Sequence, residues 1–323
     1  MYWGLAAATV FATLLMAGIA ASASAWLLEA AWSRVGRAKS FGGPAVHAEC
    51  VFCWRMLPAA AAVFASCGIA FPAFLRFEPR HTSETINPFL GAIAMAGFAM
   101  SVVALFRIAR GAWAGLHCMR YWRTHARLLG MCGAVPVYEL DIAGSLVAAV
   151  GAFRPAIFIS TAVRAALSEA ELSAAILHEA AHLEVHDNLK RILLRSVPMP
   201  LRRRQADRSW SIACELAADA RAVAAHASAL ELASALIKVG RLSHTAIPQS
   251  VLASHLVPAD QPSSIAMRVE RLLALSNAPS GYQPGSGWQV LLYAALPAAS
   301  LACICLQPST LAAAHQWIEK LVS

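Results

Sequence analysis

Apolar residues are concentrated in four long blocks of the chain, at about residues 4–28, 56–75, 88–109 and 288–306. Charged side chains are nearly absent from the blocks, and Arg107 marks the end of the third one. A helix needs about 20 apolar residues to cross the hydrocarbon core of a bilayer. The pattern therefore predicts four transmembrane helices and argues against an ordinary soluble domain.

The period of the hydrophobic pattern changes between the third and fourth blocks. Short apolar runs bounded by Gly, Pro and Asp predict strands, and apolar residues at helical spacing then predict helices. A basic juxtamembrane helix, residues 113–129, is predicted before the strands, and a Pro/Gly/Ser-rich linker, residues 277–287, follows the helices. The predicted strands are residues 135–140, 146–150 and 156–160, and the later helices are residues 210–225, 229–242 and 265–275.

These patterns divide the chain into three predicted segments. Residues 1–110 hold three transmembrane helices, residues 111–287 form a domain with both strands and helices, and residues 288–323 hold the fourth transmembrane helix and a short tail. The first block is predicted to be a retained span, because the chain start lacks the basic residues that precede the apolar core of a cleaved signal peptide.

Composition agrees with a membrane protein and sets its expected orientation. Hydrophobic residues make up 59% of the chain and charged residues 14%, against roughly 25% charged in soluble domains. Of the 26 Lys and Arg residues, 19 lie between residues 107 and 287, and positive charge marks the cytosolic side. We therefore expect a multi-pass protein of the cell inner (plasma) membrane, with a cytosolic domain and both termini outside. The net charge of +8 follows from this topology, so no nucleic-acid partner is expected.

A metal-binding motif lies on the first long helix of the central domain. Ser168 and Glu171 form a predicted capping box, which places the start of this helix. His178 and His182 are four residues apart and share a helix face, so both rings can reach one Zn2+ ion. Glu179 follows the first histidine and can take a proton from a zinc-activated water, as in zinc peptidases. The alternative is a solvated helix face that carries two histidines.

A third ligand is expected, since catalytic zinc sites use three protein ligands and leave one position open. His186 continues the same face but lies two turns from His178, which is too far for one ion. Glu215 is the predicted ligand, because the 33 residues from His182 leave room for an antiparallel return helix. Asp219, one turn further on, is predicted to accept the ring N–H of a ligand histidine and hold that ring. An exposed acidic pair is the alternative, although the neighbouring residues are apolar.

Three further features follow from the same region. Asp187 and Asn188 either end the motif helix or orient an active-site loop. The strand at residues 156–160 is predicted to pair with an extended substrate by strand addition. A basic run after the motif is predicted to face anionic lipid headgroups. Its members are Lys190, Arg191, Arg195, Arg202, Arg203, Arg204 and Arg208.

The motifs resemble those of the BlaR/MecR-type membrane zinc metallopeptidases, the antirepressor and sensor-transducer family. The resemblance implies three spans, a cytosolic gluzincin domain and a fourth span, with the two histidines and Glu215 as zinc ligands and Glu179 as the base. It also implies a protein substrate, such as a cytosolic transcriptional repressor. The short tail leaves no room for the family's C-terminal extracellular sensor domain, so antibiotic sensing is not expected. The matching segments are GAFRPAIFIS at 151–160, HEAAHLEVHD at 178–187, ELAAD at 215–219 and SIAMRVERLL at 264–273.

The predicted fold class is mainly α: a polytopic membrane protein with four transmembrane helices and an inserted α+β gluzincin-type zinc peptidase domain. The predicted function is zinc-dependent cleavage of a cytosolic or membrane-associated protein at the lipid bilayer. One alternative is a membrane gluzincin of the HtpX or CAAX-protease sort, which would use the same chemistry for quality control or tail processing. Another is a signalling adaptor that keeps the fold without cleaving.

Overall fold

Helices dominate the structure, a computed structural model, and a small mixed sheet follows the first helices along the chain. The predicted fourth transmembrane helix, residues 288–306, lies outside the described residues. The structure describes residues 2–35, 43–80, 87–142, 144–152, 154–197, 203–242, 253–255, 262–277 and 307–322.

Three helices in the described ranges are long and apolar enough to cross a membrane. The first three predicted spans lie within them. The second helix changes character along its length, because a π-helical segment separates two α-helical parts. The bounds are α1, Tyr2–Val35; α2, Pro44–Val63; the π-helical segment, Phe64–Ala70; α3, Phe71–Phe77; and α4, Pro88–His125.

α4 is longer than a membrane requires. Its 38 residues correspond to about 57 Å of helix, against about 30 Å for the hydrocarbon core. The predicted juxtamembrane helix at residues 113–129 is therefore wrong in its bounds, since one continuous helix runs to His125 and a strand begins at Ala126. No proline interrupts α4 after Pro88. The following residues become a strand because they pair with the next segment of chain.

α1 packs closely against α4 and the second helix. Gly97 of α4 lies against the Phe11 carbonyl of α1, and the rings of Phe11 and Phe98 meet edge to face with centroids 5.2 Å apart. In the π-helical segment, the Ser66 hydroxyl donates a 2.7 Å hydrogen bond to the Val10 carbonyl. Small residues and interhelical hydrogen bonds of this kind hold helices together where lipid supplies no hydrophobic driving force.

A five-stranded sheet follows α4, with strand order β1-β2-β4-β3-β5. β2 and β4 are parallel, and the other neighbouring strands are antiparallel. The predicted strands at residues 135–140 and 156–160 have the predicted bounds, and the one at 146–150 begins a residue later. The bounds are β1, Ala126–Cys132; β2, Val135–Leu140; β3, Val147–Val150; β4, Ala156–Ser160; and β5, Ala253–His255.

β4 lies inside the sheet, so the predicted pairing of residues 156–160 with a substrate strand is wrong. β2 and β3 occupy its two edges through main-chain pairing. All five of its side chains are buried. Strand addition needs an edge without a partner, and a continuous buried apolar run is typical of an interior strand.

The remaining helices of the domain pack around this sheet and on one another. α6 contacts β3, α8 and α9, and α10 packs on α8 and α9. Their shared core holds Ile157, Ile159, Leu232, Leu236 and Leu272, each fully buried. The bounds are α5, Thr161–Ala166; α6, Glu169–Glu184; α7, Asp187–Ser196; α8, Arg203–Ala224; α9, Ala229–Leu242; α10, Pro262–Ser276; and α11, Pro308–Val322.

The capping box at the start of α6 is confirmed. The Ser168 hydroxyl accepts a hydrogen bond from the Glu171 amide at 3.2 Å, and the Glu171 carboxylate accepts one from the Ser168 amide at 2.7 Å. The same carboxylate binds Ser234 and Lys238 of α9. This cap therefore fixes both the start of the motif helix and its position against α9.

The domain and α11 lie at opposite ends of the long apolar helices. At one end, the ring of Tyr2 lies 5.0 Å from that of Phe74 in α3, and His315 of α11 stacks 5.6 Å from Phe77. At the other end, α2 packs against α7 and α8 of the domain. α10 and α11, which flank the predicted fourth span, are thus separated by the length of these helices.

The close approach at Gly97 generates a prediction for the helix bundle. Gly97→Ala is expected to lower the melting temperature in detergent, because the added methyl group collides with the Phe11 carbonyl and forces α1 and α4 apart. The loss should be about 1–3 kcal/mol of unfolding free energy. Gly4→Ala in α1 is the control, since the methyl group has no atom within 4 Å. Equal melting temperatures for the two variants would contradict this account.

Candidate metal centre

α6 places both motif histidines in the interior of the domain. His178 and His182 are fully buried, and their Nε2 atoms lie 3.2 Å apart. The ring planes are nearly perpendicular, with centroids 4.9 Å apart. The four-residue spacing therefore brings the two nitrogens to one point, as the motif predicts.

α8 brings Glu215 to the same point. Its Oε2 lies 3.5 Å from Nε2 of His178, and its Oε1 lies 3.7 Å from Nε2 of His182. In a tetrahedral zinc site with bonds of about 2.0–2.1 Å, neighbouring donor atoms lie about 3.3 Å apart. Within the described ranges, the three donors lie within 4.8 Å of one another and can hold a metal ion. The residues therefore fit a tetrahedral cation in spacing and in donor chemistry.

Each histidine ring is held by its own carboxylate. Asp187 Oδ2 lies 2.8 Å from Nδ1 of His182 in a hydrogen bond. Asp219 Oδ1 lies 2.9 Å from Nδ1 of His178, although the two atoms are less well aligned. A carboxylate at Nδ1 keeps the proton there, so the lone pair of each neutral ring is on Nε2. Both lone pairs then face the same point, where positive charge relieves their repulsion.

The helix is interrupted between α6 and α7, and this turn of the chain brings Asp187 against His182. His186 adopts the left-handed conformation with φ 58° and ends the helical path. His186 is exposed and outside the donor group. Asn188 donates hydrogen bonds to the carbonyls of Ala149, at 3.0 Å, and Gly151, at 3.1 Å. Of the two roles left open for Asp187 and Asn188, orienting the site matches these contacts, and Asp187 also begins α7.

Glu179 is buried beside the donors, where its predicted role as a base is chemically suitable. Its Oε2 accepts a 2.8 Å hydrogen bond from the Ala149 amide of β3. Burial raises the pKa of Glu179, while the neighbouring histidines oppose the rise. A carboxylate whose pKa is moved towards neutrality is better able to take and return a proton.

Arg268 of α10 is a member of the site to which the sequence assigned no role. Its side chain is fully buried, and its Nε and Nη2 donate to the two carboxylate oxygens of Asp219 at 2.8 and 2.7 Å. Its Nη1 lies 2.9 Å from Glu215 Oε2, and its Nη2 lies 3.4 Å from Nε2 of His178. The guanidinium therefore fixes Asp219 and Glu215 relative to each other. In the sequence, the only signal for Arg268 is its place in the segment SIAMRVERLL, residues 264–273.

Negative charge dominates the electrostatics of the site. Burial alone would lower the pKa of His182, but the charge and hydrogen bonds of Glu215 and Asp187 raise it to about 10. Although burial opposes it, the charges of Arg268 and His182 hold the pKa of Glu215 well below its usual range. An environment that stabilises positive charge this strongly also favours a bound metal cation.

The structure thus brings together all five residues singled out from the sequence: His178, Glu179, His182, Glu215 and Asp219. Two members of the predicted basic run contact protein. Lys190 is mostly buried and faces protein carboxylates, and Arg191 lies over the Trp210 ring, 5.9 Å from its centroid. Arg202 and the side chains of Arg203 and Arg204 lie outside the described residues. That the group holds a metal ion, which ion this is, and the catalytic roles stay predictions.

Comparison with known proteins adds no family assignment. No protein-family model matches the chain, and no curated protein matches it. The resemblance to the BlaR/MecR-type peptidases therefore rests on the motifs and stays a prediction.

Glu215, a proposed ligand, and Asp219, which holds a ligand ring, give a graded prediction for zinc retention. Purified in detergent, the protein is expected to hold about one zinc ion per chain. Under a competing chelator, wild type should bind tightest, Asp219→Asn about 10–100-fold more weakly, and Glu215→Ala weakest, because only the last removes a ligand. Glu184→Gln is the control on the exposed face of α6 and should match wild type. Wild-type retention by Glu215→Ala would exclude it as a ligand.

Proposed function

We propose that the protein is an integral membrane zinc metallopeptidase of the BlaR/MecR type. The observation that carries the proposal is the convergence of two histidine Nε2 atoms and the Glu215 carboxylate at one buried point. Glu179 lies beside this point, and carboxylates hold both rings. Two histidines, a third ligand from a later helix and an adjacent glutamate are the parts of a gluzincin site.

Zinc is the metal that this donor set favours. Ca2+ and Mg2+ prefer sites built from oxygen atoms, whereas two imidazoles and one carboxylate suit Zn2+ and leave an open position. The carboxylates behind the rings increase the basicity of the ligand nitrogens. The cluster contains four buried acids, and the Arg268 guanidinium contacts two of them, Glu215 and Asp219. A dication suits this excess of negative charge. The acids are Glu179, Asp187, Glu215 and Asp219.

The residues divide the proposed reaction between them. When bound, a zinc ion supplies Lewis acidity to a water molecule and to a peptide carbonyl. Asp219 and Asp187 keep the Nδ1 protons of the two rings in place, so both Nε2 atoms stay available as ligands. Glu179 takes the proton of the attacking water on its carboxylate and returns it to the leaving amine. Arg268 keeps Glu215 ionised as the third ligand.

The proposed substrate is a cytosolic or membrane-associated protein, with a transcriptional regulator as the class implied by the motif resemblance. The contact of α2 with α7 and α8 supports a domain that works at the membrane surface. The concentration of Lys and Arg between residues 107 and 287 supports a cytosolic position for it.

Loss of the base should separate metal binding from cleavage. Glu179→Gln is expected to retain zinc but abolish peptidase activity, by at least about 100-fold, because the amide cannot take the proton. Proteomic comparison of cells that carry wild type and Glu179→Gln should reveal a protein that is cleaved only with wild type. Zinc binding without any difference in cleaved proteins between the two strains would favour a non-cleaving adaptor.

The proposed topology has a separate test. A cytosolic reporter fused after Leu275 should be active, and a reporter for the outer side should be active when fused after Ser323. This outcome follows if residues 288–306 cross the membrane once after the domain. If both fusions were active on the same side of the membrane, the predicted fourth span would be wrong, whether or not the protein binds zinc.

A further inference from the structure

The first turn of α7 contacts both the candidate metal centre and the long apolar helix α2. Asp187 uses Oδ2 to accept the hydrogen bond of His182, at 2.8 Å. Its other oxygen, Oδ1, lies 3.8 Å from the ammonium group of Lys190, one helical turn further on. The same ammonium group is paired with Glu49 of α2. An unbroken series of contacts therefore runs from α2 to a proposed metal ligand.

Lys190 is enclosed by the groups that it joins. Its side chain is only 15% exposed, and that of Glu49 is 6% exposed. The Phe52 ring, also on α2, lies with its centroid 5.7 Å from the ammonium nitrogen. Two side chains of α2 thus hold this cation, and Asp187 approaches it from the domain side. Charges at such buried positions act strongly on each other, because water screens them little.

We propose that Lys190 and Glu49 are positioning residues for the metal centre, and that they make the strength of the Asp187–His182 hydrogen bond depend on the position of α2. This rests on the proposed zinc site. While Glu49 holds Lys190, Asp187 keeps its charge for His182. When α2 moves away, the ammonium turns fully to Asp187 and draws its negative charge from the ring. His182 then becomes a weaker metal ligand.

The contact geometry favours this role over simple docking. A second ion pair joins α2 to the domain, with Nε of the buried Arg55 3.7 Å from the partly exposed Asp207 and Arg55 Nη2 donating to the Leu194 carbonyl. The same interface also contains an apolar cluster, formed by Ala48, Leu194, Trp210, Ala213 and Cys214. Docking therefore has its own apolar surface and ion pair. The Glu49–Lys190 pair differs in that its cation also contacts Asp187.

The test is zinc affinity of the full chain in detergent, measured against a competing chelator. Glu49→Gln is expected to weaken zinc binding by about three- to tenfold, less than the 10–100-fold loss typical when a ligand's direct partner is removed. Lys190→Met should bind zinc at least as tightly as wild type, because no ammonium is left to draw the charge of Asp187 from His182. The visible absorption of the Co2+-loaded protein should shift in Glu49→Gln and not in Lys190→Met, because only the first variant turns the ammonium from Glu49 to Asp187.

Arg55→Gln is the matched control, on the same helix and as deeply buried as Glu49. It is expected to lower the melting temperature but to keep zinc affinity within about twofold of wild type, because its contacts with Asp207 and the Leu194 carbonyl lie away from Asp187 and His182 in the chain of contacts. The double variant Glu49→Gln with Lys190→Met should bind zinc no more weakly than Lys190→Met alone, since both act through Asp187. Glu49→Asp keeps the charge and should give an intermediate loss of zinc affinity. It replaces Glu49→Gln in the test if that variant does not fold.

The outcomes separate this inference from the proposed function. Wild-type zinc affinity in Glu49→Gln, or in Glu49→Asp where Glu49→Gln does not fold, would overturn the positioning role and leave the zinc site standing. A loss of affinity in Lys190→Met as large as that in Glu49→Gln would do the same, because the mechanism requires the ammonium. An equal loss of affinity in Arg55→Gln would do the same, because it would reduce the effect to docking. Absence of zinc binding in wild type would overturn the proposed site and this inference together.

Discussion

Two imidazole nitrogens that face each other across 3.2 Å inside a protein are the constraint on which this domain depends. Their lone pairs repel, and burial removes the water that would separate them. The arrangement persists because a carboxylate holds each ring from behind and a third carboxylate, from Glu215, completes the cluster. Such a cluster is stable when positive charge lies at its centre, which is the physical reason to regard it as a metal site.

This requirement explains why four helices converge on one point. α6 supplies both rings, α8 supplies Glu215 and Asp219, α7 supplies Asp187, and α10 supplies Arg268. The guanidinium of Arg268 compensates part of the negative charge and fixes the two acids of α8. Removal of one partner would leave an uncompensated buried charge, so the site and the packing of these helices stabilise each other.

The domain is also bound to the apolar helices through elements that carry site residues. α2 packs on α8 beside Cys214, next to Glu215, and contacts α7 through Lys190. As we propose, a change in the position of α2 would therefore reach two sides of the candidate metal centre over short distances. Contact of this kind gives a physical basis for linking events at the membrane to the proposed chemistry of the domain, and it needs no long path through the protein.

Local patterns determined much of this protein. Residue spacing on one helix fixed the convergence of His178 and His182, and the Ser168 cap fixed where that helix begins, because both depend on neighbours a few residues away. Tertiary structure alone decided the rest. Pairing with β2 turned residues 126–129 into a strand, and the sheet order placed β4 in the interior, where no substrate strand can pair. Arg268 contacts Asp219, which is 49 residues away in the sequence. A contact between residues so far apart forms only when the chain folds, so no local periodicity predicts it.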